Sequence, residues 1–125
     1  MADKKILIID EERFSRICSA ILESQGFATK LFTDIESLAQ GLSSNEFSLV
    51  LISYPHGAFL LKELRTWDIP TLVLTDMLDA ELMSFLKEFS NSYCMIKPID
   101  YEKFRCLVHD LMTDTCVMER GFNVV

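Results

Sequence analysis

Short apolar runs alternate with stretches of helical spacing along most of this chain. Lys5–Ile9, Ala28–Phe32, Phe47–Ile52, Thr71–Leu74 and Tyr93–Ile96 read as strands, because each is short, apolar and rich in branched or aromatic residues. The segment after each run repeats its apolar residues at i, i+3, i+4 and i+7. Phe14, Ile17, Cys18, Ile21 and Leu22 define the first predicted helix, which Gly26 ends. Asp34, Asp79 and Asp100 are placed to cap the second, fourth and fifth helices. Leu60, Leu61, Leu64 and Trp67 mark the third, and Phe104, Leu107, Val108, Leu111 and Met112 line the fifth. Strands apolar throughout suit a parallel sheet buried on both faces. Right-handed crossovers then give a doubly wound α/β domain.

The chain has 125 residues, half of them hydrophobic, which fits one domain with one continuous core. Its apolar runs are far too short to cross a bilayer, and no signal-peptide pattern opens it. Cys18, Cys94, Cys106 and Cys116 lack paired spacing, and Cys18 and Cys106 are expected on apolar helix faces as free thiols. A reducing cytoplasm is the expected compartment. The net charge is −7 and the basic residues are scattered, so no cationic stripe is available for nucleic acid. No Gly-x-Gly-x-x-Gly or Walker sequence is present, which argues against dinucleotide and NTP sites. The segment after about Thr113 has no clear periodicity. Residues 1–113 are therefore expected to form the domain, and 114–125 a tail or the start of a linker.

In an open parallel sheet the chemistry gathers at the carboxyl ends of the strands. There the sequence places Asp10 and Glu11, Ser53, Thr75 and Lys97. An acidic pair, two hydroxyls and an ammonium suit phosphate chemistry, but a phosphate-accepting carboxylate is missing. Ser53 with His56 suggests a nucleophile and base, yet Pro55 lies between them and no nucleophile elbow is present.

These residues, in this order, resemble a bacterial response-regulator receiver domain from Lys4 to about Met112. The resemblance is carried by Ile-Leu-Ile-Ile-Asp-Glu-Glu at the first strand and Gly57-x-x-Leu-Leu-Lys-Glu-Leu-Arg65 in the third helix. Ile-Pro-Thr-Leu-Val-Leu-Thr75 and Ile96-Lys97-Pro98-Ile99 complete it. It implies a flavodoxin-like (βα)5 three-layer sandwich with a five-stranded parallel sheet in the order 2-1-3-4-5. It also implies Mg²⁺ held by an acidic pair and the acceptor aspartate, with a Thr hydroxyl and a Lys ammonium binding the phosphoryl oxygens. Asp10 and Glu11 match the acidic pair, Thr75 the hydroxyl and Lys97 the ammonium. Ser53 stands at the acceptor position.

The chain departs from the family in two further ways. The loop Ser53-Tyr54-Pro55-His56-Gly57 is short where the family supplies a backbone carbonyl to the metal. Cys94 takes the place of the aromatic switch residue, and Tyr93, one position earlier, should point to the opposite sheet face. Mg²⁺ favours charged oxygen ligands in near-octahedral geometry, and an unactivated serine hydroxyl is a poor nucleophile. The expectation is an atypical pseudo-receiver in two-component or phosphorelay signalling. It would be non-enzymatic, with no cofactor beyond weakly bound or lost Mg²⁺, and Lys97 would pair with Asp10 or Glu11. Two alternatives are a metal-binding receiver phosphorylated by an unusual route and a small α/β hydrolase using Ser53.

Such a domain acts on a protein partner, either a signalling protein or an output domain, or on a second copy as a homodimer; neither nucleic acid nor membrane is expected. The resemblance directs that contact to the fourth helix, fifth strand and fifth helix. Met77, Leu78, Met83, Tyr93, Tyr101 and Arg105 are the candidates there.

Overall fold

A computed structural model describes residues 4–113 and 121–125. The strands are β1 (Lys5–Ile9), β2 (Thr29–Leu31), β3 (Phe47–Tyr54), β4 (Thr71–Thr75), β5 (Asn91–Ile96) and β6 (Gly121–Val124). The helices are α1 (Glu12–Ser24), α2 (Ile35–Ser43), α3 (Leu61–Trp67, entered through a 3₁₀ turn at Ala58–Leu60), α4 (Ala80–Leu86) and α5 (Tyr101–Thr113). The strands form one six-stranded sheet, ordered β2-β1-β3-β4-β5-β6, and every neighbouring pair is parallel.

Side-chain alternation divides the core into two layers. Ile6, Ile8, Leu49, Leu51, Leu72 and Leu74 face α1 and α5. Leu7, Ile9, Val50, Ile52 and Val73 face α2, α3 and α4. Each fully buried aliphatic side chain here contributes about 2 kcal/mol of transfer free energy. With both faces covered, the chemistry is confined to the strand ends.

The predicted caps form. Asp34 accepts from the Ser37 N–H and Asp79 from the Leu82 N–H, each at 2.7 Å. Asp100 accepts from the N–H groups of Glu102 and Lys103 at 3.0 and 3.2 Å. Gly26, with φ of +91°, ends α1 in a conformation that a side chain would strain.

Several expectations need correction. Cys106 is exposed rather than apolar-facing. It lies two positions from both Phe104 and Val108, which turns it about 200° from their buried face. Ile17 and Trp67 are also exposed, at 43% and 44%. β3 continues past Ile52, so that Ser53 pairs with Leu74 and Tyr54 with Thr75 inside the ladder. The five-stranded sheet becomes six-stranded, because residues 121–124, expected in a tail or linker, pair with β5. The rest of that segment, 114–120, with Cys116, lies outside the described residues.

Candidate functional site

Asp10 follows β1, Ser53 and Thr75 end or nearly end β3 and β4, and Lys97 follows β5, so parallel pairing gathers them at one end of the sheet. Ser53 and Thr75 are buried, at 4% and 1% exposure. Gly57 holds the short loop after β3 against the sheet. Its N–H donates to the Ser53 carbonyl at 2.7 Å, and a Cβ there would lie 2.5 Å from the Ile52 side chain. That close approach requires a glycine.

Lys97 does not pair with Asp10 or Glu11, contrary to expectation. Its ammonium donates to the Ser53 hydroxyl at 3.4 Å and sits 4.8 Å from the centre of the Phe14 ring, a cation–π contact. The reason is positional. Lys97 enters from β5, reaches Ser53 on β3 across β4, and meets the α1 ring before it can reach the end of β1. Its own N–H is anchored to the Thr75 carbonyl at 2.7 Å.

Thr75 is also engaged locally. Its hydroxyl donates to the Met77 carbonyl at 2.8 Å and accepts from the Met77 N–H at 3.2 Å, pinning the turn between β4 and α4. Asp10 is left differently. One carboxylate oxygen accepts from the Glu11 N–H at 2.7 Å, while the other is buried with no partner among the described residues. Glu11 is exposed. Cys18 is buried on α1 close enough to feel both charges. Burial pushes its thiol up to about 12, the Asp10 carboxylate adds to the rise, and Lys97 opposes it. The described residues hold no group of three or more His, Cys, Asp or Glu side chains arranged for a metal. The described partner of the Ser53 hydroxyl is Lys97 and not His56.

No protein-family model matches this sequence, and no curated protein matches it significantly. Solved structures do. A two-component response regulator from Clostridium difficile is 22% identical, with a TM-score of 0.71 over 90% of this chain and 98% of that one. A CheY-like receiver domain protein from Methanospirillum hungatei JF-1 is 17% identical, with a TM-score of 0.72 over 90% of this chain and 96% of its own. An orphan response regulator of H. pylori is 14% identical, with a TM-score of 0.69 over 87% and 96%. The fold is that of a response-regulator receiver domain.

Within the receiver fold, Cys94 and Tyr93 point to opposite faces of β5. Cys94 is fully buried in the layer under α2, α3 and α4, where burial raises its thiol to about 11. Tyr93 is 5% exposed and belongs to the α1/α5 layer. Its place on the partner face is therefore corrected, since α5 covers it and β6 runs beside it. The remaining candidates divide. Met77 is 69% exposed and Tyr101 40%. Leu78 and Met83 are half-buried, and Arg105 is paired with Glu102. Because α4 and α5 lie on opposite sheet faces, β6 now extends the sheet between these two groups.

The sequence reading missed the part Phe14 plays at the site. Its helical spacing with Cys18 marked it as core, and no sequence signal places its ring at an ammonium. Tyr54 was also missed. Its hydroxyl donates to Asp79 at 3.5 Å, and its pKa is raised by burial and then by Asp79 and Glu81.

Proposed function

We propose that this chain is a receiver-type signalling module of two-component or phosphorelay systems that works without an aspartyl phosphate, through protein–protein contact. The observation that carries this reading is the contact of Lys97 with Ser53. At the acceptor position stands a buried hydroxyl, and the ammonium that would meet a phosphoryl group is already engaged by it and by Phe14. An acyl phosphate requires a carboxylate, and Ser53 offers none.

The pocket is a poor match to Mg²⁺. A neutral hydroxyl takes the place of one carboxylate, and the loop that would add a backbone carbonyl is short. Binding is weak or lost, with Asp10 and Glu11 as the residual ligands. The partner is a signalling protein or an output domain, with a homodimer as a further form. Neither nucleic acid nor membrane is the target, the setting is cytoplasmic, and the domain is not an enzyme. No described helix is long and apolar enough to cross a membrane.

One observation favours a second reading, a receiver that keeps its cation and is phosphorylated by an unusual route. The unpartnered, buried Asp10 oxygen would be satisfied by a metal. Intact-mass measurement after treatment with a small phosphodonor and Mg²⁺ separates the two. The first reading expects no added phosphate; an adduct mapped to Ser53 or to a carboxylate of the pocket overturns it in favour of the second.

A further inference from the structure

β6 fills a place that the five-strand pattern left open. It pairs with β5 in the register Asn91↔Gly121, Ser92↔Phe122, Tyr93↔Asn123 and Cys94↔Val124. The Val125 N–H continues the ladder to the Cys94 carbonyl at 2.9 Å. Beyond this ladder, Val125 is the described side chain of the segment that packs on the core, against the α1/α5 layer, while Val124 is 50% exposed. The rest of that layer is assembled from β1 to β5, α1, α5 and their flanking turns.

β5 is different. With β6 seated beside them, residues Ser92 to Met95 are all buried, and β6 pairs the backbone groups on their outer side. The edge of β5 therefore accepts a strand, and β6 supplies that strand from within the chain. The segment Gly121–Val125 carries no charge and no proline, in a chain of net charge −7. Nothing in it opposes the same pairing with another molecule. The opposite edge, β2, carries Lys30, which is tied to Glu46 at 3.6 Å.

We propose that the β5 edge is a strand-acceptor site and that its partner is β6 of a second copy of this chain, exchanged reciprocally. This names a partner for the protein-contact reading above. An exchanged pair keeps the β5–β6 ladder and the packing of Val125, so concentration sets the balance between the two forms.

The ladder indicates how to test it. The Val125 N–H faces β5, so by the period of a strand the Asn123 N–H faces β5 and the Val124 N–H faces away. Full chains, ¹⁵N-labelled and unlabelled, are mixed and followed by native mass spectrometry up to about 1 mM. Mixed-label dimers are expected in the wild type and in Val124→Pro, and are lost in Asn123→Pro, which removes a ladder donor. A wild type that stays monomeric overturns the proposal. So does a dimer lost in Val124→Pro but kept in Asn123→Pro, the signature of β6 edges meeting each other. Hydrogen exchange on the wild type needs no variant. The Val125 amide is expected to exchange at least about 100-fold faster than that of Val73, because β6 opens locally; equal protection overturns the exchange. The phosphodonor experiment is unaffected by either result, so the two readings fail separately.

Discussion

The two flanks of the pocket have been left in different conditions. On the β1 flank, Asp10 keeps a buried carboxylate oxygen with no described partner and Glu11 is exposed to solvent. On the β3–β5 flank the polar groups already satisfy one another: Lys97 lies on Ser53 and Phe14, and the Thr75 hydroxyl is bonded to the Met77 backbone. One flank leaves a carboxylate oxygen without a described partner, while the other closes on itself around a neutral hydroxyl. The neutral hydroxyl of Ser53 offers the Lys97 ammonium no counter-charge. The lysine then finds a ring and a hydroxyl instead.

The largest expected effect is kinetic and concerns the thiol beneath the open flank. Cys18, raised to about 12, holds about a thousandth of the thiolate of an ordinary cysteine at pH 8. Alkylation should label exposed Cys106 at least about 100-fold faster than Cys18. The sign of the pH dependence follows. The folded thiol titrates above its ordinary value of 9.0, so the unfolded chain loses its proton first. This contribution to stability is complete below pH 9.0 and is lost as pH rises towards about 12. Asp10→Asn should speed Cys18 labelling, since the Asp10 carboxylate contributes to the rise. Unchanged labelling in that variant would separate the thiol from the flank.

Ser53→Asp tests the closed flank. A new buried carboxylate beside Asp10 should lower stability by about 1–3 kcal/mol without metal, read by urea denaturation. Millimolar Mg²⁺ should recover part of that loss, yet the short loop should keep this single variant from robust phosphorylation. Strong phosphoryl transfer to it would show that the closed flank differs from a working one only at residue 53.

Asp79→Ala should cost about 1 kcal/mol by removing the α4 cap next to the Thr75–Met77 turn. If that turn depends on the cap, the Tyr54 ring, which also bonds Asp79, should shift its near-ultraviolet signal too. The smallest effect belongs to Asp10→Asn, which removes a half-buried carboxylate with one unpartnered oxygen and keeps the acceptor for the Glu11 N–H. Its metal-free stability should change by less than about 1 kcal/mol, in the stabilising direction. A loss well beyond that would mean that the open flank is satisfied by something other than a cation.

The sequence by itself determined whatever depends on neighbours along the chain. The caps at Asp34, Asp79 and Asp100, the stop at Gly26 and the strand periods are local hydrogen-bonding and burial patterns, and they appear as read. The gathering of Asp10, Ser53, Thr75 and Lys97 was legible for the same reason, because a parallel sheet brings the ends of its strands together. The tertiary structure decided the rest. Lys97 carries four rotatable methylenes, and its choice of Ser53 and Phe14 over Asp10 depends on strand order and on a ring from α1. Tyr93 reads as a candidate contact in sequence, but the direction of its side chain in β5 buries it under α5. The segment 121–124 shows no strand signal of its own. It becomes a strand because the edge of β5 offers a row of backbone groups with which it can pair.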